Sequence, residues 1–206
     1  MSDVFGQKVE SLEELRSIGG EPGKLAANKV INFLDDNCER FISHSPFLTI
    51  ATASHSGSDV SPRGDQPGFV KVIDKKHLLI PERPGNKRMD SLLNILENPN
   101  VGLLFLVPGR EESLRINGKA SIVKEEGLLK DCEAFGNIPS LGIGVEVVEC
   151  FIHCGKALKR SHLFKQDYWP NTEKLPSAAK MLADHAKLES NSVSKTLRES
   201  YSQRLY

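Results

Sequence analysis

The stretch "HLLIPERPGNKRMDSLLNILENPNVGLLFLV", residues 77–107, changes its hydrophobic period twice. "HLLIP" (77–81) is a short apolar run that reads as a strand, and "NVGLLFLV" (100–107) reads as another. Between them Met89, Leu92, Leu93 and Leu96 recur at three- and four-residue steps. That spacing predicts a helix over 87–97 with these four side chains as its apolar face.

Further runs of the strand type flank this unit. They lie at about 47–54 ("FLTIATAS"), 67–73 ("PGFVKVI"), 114–123 ("LRINGKASIV") and near 143–153 ("IGVEVVECFIH"). Most connections are short, which favours antiparallel neighbours over βαβ crossovers. Six such strands with a few helices around them predict a mainly β (α+β) fold, a small closed or partly closed barrel. Residues 11–43 read as helical: "SLEEL" places Glu14 three residues after Ser11, a capping-box pattern. Pro22 then opens a stretch whose Val30, Ile31, Leu34 and Phe41 suggest an amphipathic face. "KEEGLLKDCEAFG" (124–136) reads as a further helix. Residues 155–206 turn polar and helical again, with Pro170 and Pro176 as breakers. With no repeat and no clear linker, 1–206 is expected to be one domain. It has an N-terminal helical segment (1–43) and a C-terminal helical extension (155–206).

Composition narrows the function classes. The 206 residues, 39% hydrophobic and 26% charged, are enough for one good-sized folded domain. Lys plus Arg balances Asp plus Glu at 27 each. No global field therefore draws the chain to nucleic acid or an acidic membrane, and any anion site must be local. The opening "MSDVFGQKVESLEELRSIGG" has neither a basic n-region nor an apolar h-region. No apolar run approaches the roughly 20 residues of a membrane span. Cys38, Cys132, Cys150 and Cys154 are scattered without a CxxC pair and read as reduced, mostly buried thiols. These features together point to a cytoplasmic protein.

Lys87 and Arg88 pose an electrostatic problem, because a helix N-terminus already carries partial positive charge and unpaired N–H groups. Gly85 can supply a tight turn and Asn86 can cap the helix. The cations and free amides would then converge on one small volume suited to a phosphate. The other local reading is a solvated basic turn softened by Asp90. "SDVSPRGDQPGFV" (58–70) reads as a loop held by Pro62 and Pro67, with Arg63 and Asp65 beside Gly64. It either places backbone against a planar ligand or is a plain connection with an exposed ion pair. "CFIHCGKALKRSHLF" (150–164) ends a strand and adds Lys156, Lys159 and Arg160, a second anion contact or a solvated face. The six histidines form no HxxxH or HExxH, and no Gly-x-Ser-x-Gly or Walker spacing occurs.

Three stretches together, "SPRGDQPGFVKVID", "LLIPERPGNKRMDSLLNILENPNVGLLFLVPG" and "LRINGKA", resemble the pyridoxamine 5'-phosphate oxidase-like family of FMN-binding split barrels. Within it they resemble the branch described as FMN-dependent enzymes, over about residues 30–165. The resemblance implies a six-stranded antiparallel split barrel that forms a homodimer with FMN at the subunit interface. It carries the phosphate contact onto Lys87 and Arg88, with Arg83 and Asn86 close by. The ring contact falls on "SPRGD", hence Ser61, Arg63 and Asp65, and a C-terminal basic contact on Lys156 and Arg160. It implies an oxidoreductase acting on a small molecule, with FMN carrying the electron or hydride chemistry. The late Arg-and-aromatic segment of true pyridoxamine-phosphate oxidases has no match here. Phe164 stands where this branch has a tryptophan, which bears on the ring contact there, and with both departures vitamin B6 oxidation does not transfer. The same binding residues would serve a non-catalytic FMN store or sensor. Related split barrels bind haem or a deazaflavin, and a haem would call on His153.

Overall fold

The computed structural model describes residues 4–206. They fall into two compact units, one up to Val30 and one over Ile31–Tyr206. The first unit holds α1 (Leu12–Gly19) and α2 (Lys24–Asn28), with no buried residue in either helix. Ser11 caps α1 by accepting the Glu14 N–H at 3.1 Å, but Glu14 reaches back to the Glu10 N–H at 3.2 Å. The second arm of the capping box therefore lands one residue early. Gly20, at φ 74°, then stops the helix.

The helix predicted over 11–43 is thus three helices. The third, α3 (Asp36–His44), belongs to the second unit and buries Cys38 and Ile42. Before it the chain is extended, and Ile31 exchanges backbone hydrogen bonds with Cys150 at 3.0 and 2.7 Å.

Seven strands follow, one more than expected: β1 (Phe47–Ser54), β2 (Gly57–Gly64), β3 (Lys71–Val72), β4 (His77–Pro81), β5 (Asn100–Leu106), β6 (Ser113–Val123) and β7 (Gly142–His153). All ladders are antiparallel, in the order β2-β1-β5-β6-β7-β4-β3, giving the α+β split barrel. The additional strand is β2, which lies in the segment read from sequence as a loop. It pairs with β1 along its whole length, from Ser54 opposite Gly57 to Phe47 opposite Gly64. It occupies a sheet edge, where Pro62 is tolerated. The strand expected over 67–73 shrinks to the two residues of β3.

The main core cluster draws on both halves of the sheet, including Leu48, Ile50, Ile80, Phe105, Ile116 and Ile143, each fully buried, and Leu79, Leu129 and Cys132 form a small second one. β6 and β7 form the longest ladder, broken by a bulge at Asn117/Gly118. A Cβ on Gly118 would sit 2.3 Å from the Glu146 carbonyl oxygen, so only glycine allows that approach.

α4 (Asp90–Glu97) packs on the barrel through Ser91, Leu92 and Ile95. This corrects the predicted face: Met89, Leu93 and Leu96 are 50%, 55% and 72% exposed. The helix also begins at Asp90 and not at 87, because Lys87 and Met89 take left-handed backbone angles that break the period. α5 (Glu126–Lys130) is the short remnant of the helix expected over 124–136. After β7 come α6 (Lys156–Ser161), two 3-10 turns, α7 (Ala178–Ala186) and α8 (Ser190–Gln203). α7 and α8 pack on each other. Among the described residues no helix is long and apolar enough to cross a membrane. All four cysteines are free, with Cys38, Cys132 and Cys150 buried and Cys154 exposed.

Candidate functional site

One cleft of about 820 Å³ opens where β2, the end of β4, the 82–89 loop, the start of α4 and the 137–141 segment meet. That is within the size range of small-molecule sites. Period-two alternation on β2 half-buries Asp59, Ser61 and Arg63 and leaves Val60 65% exposed. The polar set is the one that lines the cleft. On an ordinary core strand the apolar residues would point inward.

Hydroxyl contacts fix α4 to the sheet. Ser61 and Ser91 share a hydrogen bond at 2.8 Å, and Asn94 donates to Thr52 Oγ1 at 3.0 Å. The loop before α4 is held in an unusual shape. Gly85, expected to take the left-handed turn, does not take it; Lys87 (φ 63°) and Met89 (φ 58°) do. A non-glycine residue in that region costs on the order of 1 kcal/mol. Asn86 accepts the Arg88 N–H at 3.0 Å and so closes the loop. It does not cap the helix: Met89 stands at the N-cap and makes no side-chain cap hydrogen bond. Arg88 Nε donates to Asp90 Oδ2 at 2.8 Å, while Lys87 makes no ion pair among the described residues. Lys87, Arg88 and the first turn of α4 all face the same cleft.

At the β2 side, Arg63 Nη2 lies 3.4 Å from Glu82 Oε2, with the two side chains 20% and 25% exposed. Geometry makes this an ion pair and not a hydrogen bond. Arg63 Nε and Glu82 Oε2 are buried atoms with no hydrogen-bond partner. Burial pushes the Glu82 carboxyl up from its ordinary value, and the Arg63 charge only partly opposes that. A buried donor and acceptor left open beside a cleft are the kind of groups a bound ligand satisfies.

Asp65 lies behind the cleft and organises its wall. Its carboxylate, 2% exposed, accepts Arg83 Nε at 2.6 Å. It also accepts the Gln66 N–H at 2.7 Å and the Tyr206 hydroxyl at 2.8 Å. Burial alone would raise its pKa, yet the bonds from Tyr206, Gln66 and Arg83 together hold it below the usual carboxylate value.

The structure therefore brings Ser61, Arg63, Arg83, Asn86, Lys87 and Arg88 to one cleft, with Asp65 supporting Arg83 from behind. Lys156 and Arg160 lie on α6 and do not line it, and neither does His153. Sequence reasoning missed Glu82, Ser91 and Tyr206. Glu82 sits next to Arg83 at a strand end and could have been found as a charged residue entering the turn. Tyr206 stands 141 positions from Asp65 and gave no sequence signal. Among the described residues no group of three His, Cys, Asp or Glu side chains could hold a metal ion.

The split barrel thus carries a polar cleft with two cations at one end and a half-buried Arg–Glu pair at the other. The chain belongs to the pyridoxamine 5'-phosphate oxidase family, which residues 34–143 match. Among solved structures, HupZ from Group A Streptococcus is similar at 19% identity and a TM-score of 0.48, over 57% of this chain and 92% of that one. An FMN-binding protein from Syntrophomonas wolfei matches at 13% identity and a TM-score of 0.41, over 55% of this chain and 78% of that one. The FAD binding protein from Mycobacterium smegmatis matches at 18% identity and a TM-score of 0.39, over 60% of this chain and 100% of that one. No curated protein matches the sequence.

Proposed function

We propose that this protein binds FMN in the cleft and is an FMN-dependent oxidoreductase acting on a small molecule. The observation that carries the reading is the pairing of two features in one cavity. Lys87 and Arg88 meet the side-chain-uncapped start of α4, and Arg63 presents an unsatisfied buried N–H. The donor set fits FMN: cations and amides for a phosphate, hydroxyls for a polyol, and a fixed guanidinium for a polar ring edge.

When bound, FMN would supply the electron or hydride transfer. The chain's own residues would bind and orient it. Lys87, Arg88 and the first amides of α4 would hold the phosphate, with Asn86 keeping the loop closed. Ser61, locked to Ser91, would present a hydroxyl from β2. Arg63, held between Glu82 and the Pro62 carbonyl, to which its Nη1 donates at 3.3 Å, would face the ring. Arg83 would be aimed by Asp65. Lys156 and Arg160 lie outside this cleft, so the contact expected of them requires a second copy of the chain. The exposed Met89, Leu93 and Leu96 face on α4 supports a homodimer with the site at its interface.

The test is a titration of purified protein with FMN, riboflavin and FAD, followed by flavin fluorescence, together with the visible spectrum as isolated. Flavin bands that release FMN on denaturation support the reading. A Soret band, or failure to take up added FMN, overturns it. Turnover with NAD(P)H and a panel of electron acceptors then separates an enzyme from a protein that only stores or senses FMN.

A further inference from the structure

We propose that Tyr206 is a latch that holds the segment following α8 against the cleft and slows the escape of the ligand bound there. The retention half of this proposal rests on the flavin reading above; the latch itself does not. The phenol is fixed from three directions. Its hydroxyl donates to Asp65 Oδ1 at 2.8 Å, its ring lies 4.5 Å from that of Phe135 between centroids, and the Arg83 guanidinium stands 5.9 Å from its centroid. The ring is also part of the cleft wall.

The neighbours of Tyr206 show what depends on it. Leu205 is 60% exposed and Tyr201 66% exposed, while Tyr206 itself is half-buried. α7 and α8 pack mainly on one another. The Tyr206 side chain is therefore the point at which this segment is tied to the wall of the cleft. Its anchor, Asp65, is shared: the other carboxylate oxygen orients Arg83. One buried carboxylate thus fixes both a cation and an aromatic side chain of the same wall, and movement of either is felt by the other. Asp65 was legible in the sequence only as a residue near a ring. Here it acts as a positioning residue for the latch.

Two readouts separate the latch from the flavin reading. The first is limited trypsin digestion of the ligand-free protein, which reports cleavage at Lys180, Lys187 and Lys195 on α7, α8 and their junction. Tyr206→Ala should be cut there several-fold faster than wild type, and Tyr206→Phe, which loses only the hydroxyl, at an intermediate rate. The second is the release rate of bound FMN, followed by recovery of flavin fluorescence after dilution. It should rise about tenfold in Tyr206→Ala, the scale of one partly screened charge-assisted hydrogen bond plus a ring contact. Unchanged cleavage in Tyr206→Ala overturns the latch, whatever FMN does. Faster cleavage with unchanged FMN release overturns its role in retention. If wild-type protein takes up no FMN, the flavin reading has failed, and the digestion alone decides whether the latch exists.

Discussion

On the proposed FMN reading, the site geometry predicts that Lys87 and Arg88 contribute unequally to phosphate binding. Lys87 makes no ion pair among the described residues, so its ammonium is free to form a charge-assisted hydrogen bond worth about 1.5–3 kcal/mol. Arg88 begins engaged: Nε lies 2.8 Å from Asp90 Oδ2 and Nη2 3.4 Å from Oδ1, with the side chain 71% exposed. A phosphate must compete with that carboxylate in a well-solvated setting, so Arg88 contributes less than Lys87. Lys87→Ala should therefore weaken FMN more than Arg88→Ala does. The double alanine should lose about 3 kcal/mol, roughly 150-fold in Kd. Asp90→Asn should tighten FMN, by freeing Arg88. The assay is a fluorescence titration of each variant with FMN and, in parallel, with riboflavin, which lacks the phosphate. The loss should be confined to FMN, and each fold should keep its stability to within about 0.5 kcal/mol because both side chains are exposed. Equal losses for FMN and riboflavin, or a double alanine that keeps wild-type affinity, would refute the reasoning.

Three further outcomes follow from the same structure. Asp65 is held below its ordinary pKa, so the stability it contributes is present above its unfolded value and is lost as pH falls through the folded value. Asp65→Asn should be destabilised at neutral pH by about 2–3 kcal/mol, and the gap to wild type should close at the acid end of a denaturant–pH series. Glu82 shows the reverse: burial raises its pKa, so the ionised form opposes folding above the folded value, and protonation relieves this. Glu82→Gln, which resembles the neutral acid, should raise the melting temperature at neutral pH and give no gain at acid pH. Gly118→Ala places a Cβ 2.3 Å from the Glu146 carbonyl oxygen and 2.8 Å from Val145 Cγ1. It should cost about 3 kcal/mol in chemical unfolding without changing ligand affinity once folded.

Much of the barrel was legible because its core strands obey the ordinary alternation. Leu48 and Ile50, Leu103 and Phe105, and Leu114 and Ile116 each occupy alternate positions and are buried. β2 was not legible for the opposite reason. Its inward positions are Asp59, Ser61 and Arg63 and its outward ones include Val60, so its pattern is inverted and interrupted by Pro62. The inversion arises because this edge strand faces a polar cleft and not the core. α4 was misread for another reason. Periodicity grouped Leu92 with Met89, Leu93 and Leu96 and left out Ile95, whereas the helix buries Leu92 and Ile95, a face rotated toward Ser91. Tyr206 was invisible for a third reason: its partners lie 141 and 71 positions away, and no local pattern encodes contacts at that range.

The 86–90 loop concentrates the remaining departures from local rules, and their coincidence is informative. Within four residues the chain has two cations before a helix start, two left-handed non-glycine residues and a helix N-terminus with no side-chain cap. Each is unfavourable alone, by on the order of 1 kcal/mol. A loop with no binding role could relieve most of this with a glycine at 87 and an extended, capping serine at 89. The left-handed angle at Met89 instead leaves the amides at the start of α4 without a side-chain cap. The one at Lys87 places its residue at the cleft with no acidic partner among the described residues, and Asn86 accepts the Arg88 N–H to hold the turn. An anion at this position would reverse the sign of the first departure and satisfy the third, leaving only the backbone strain. On the proposed reading, the charge problem visible in "NKRMD" is the complement of the FMN phosphate.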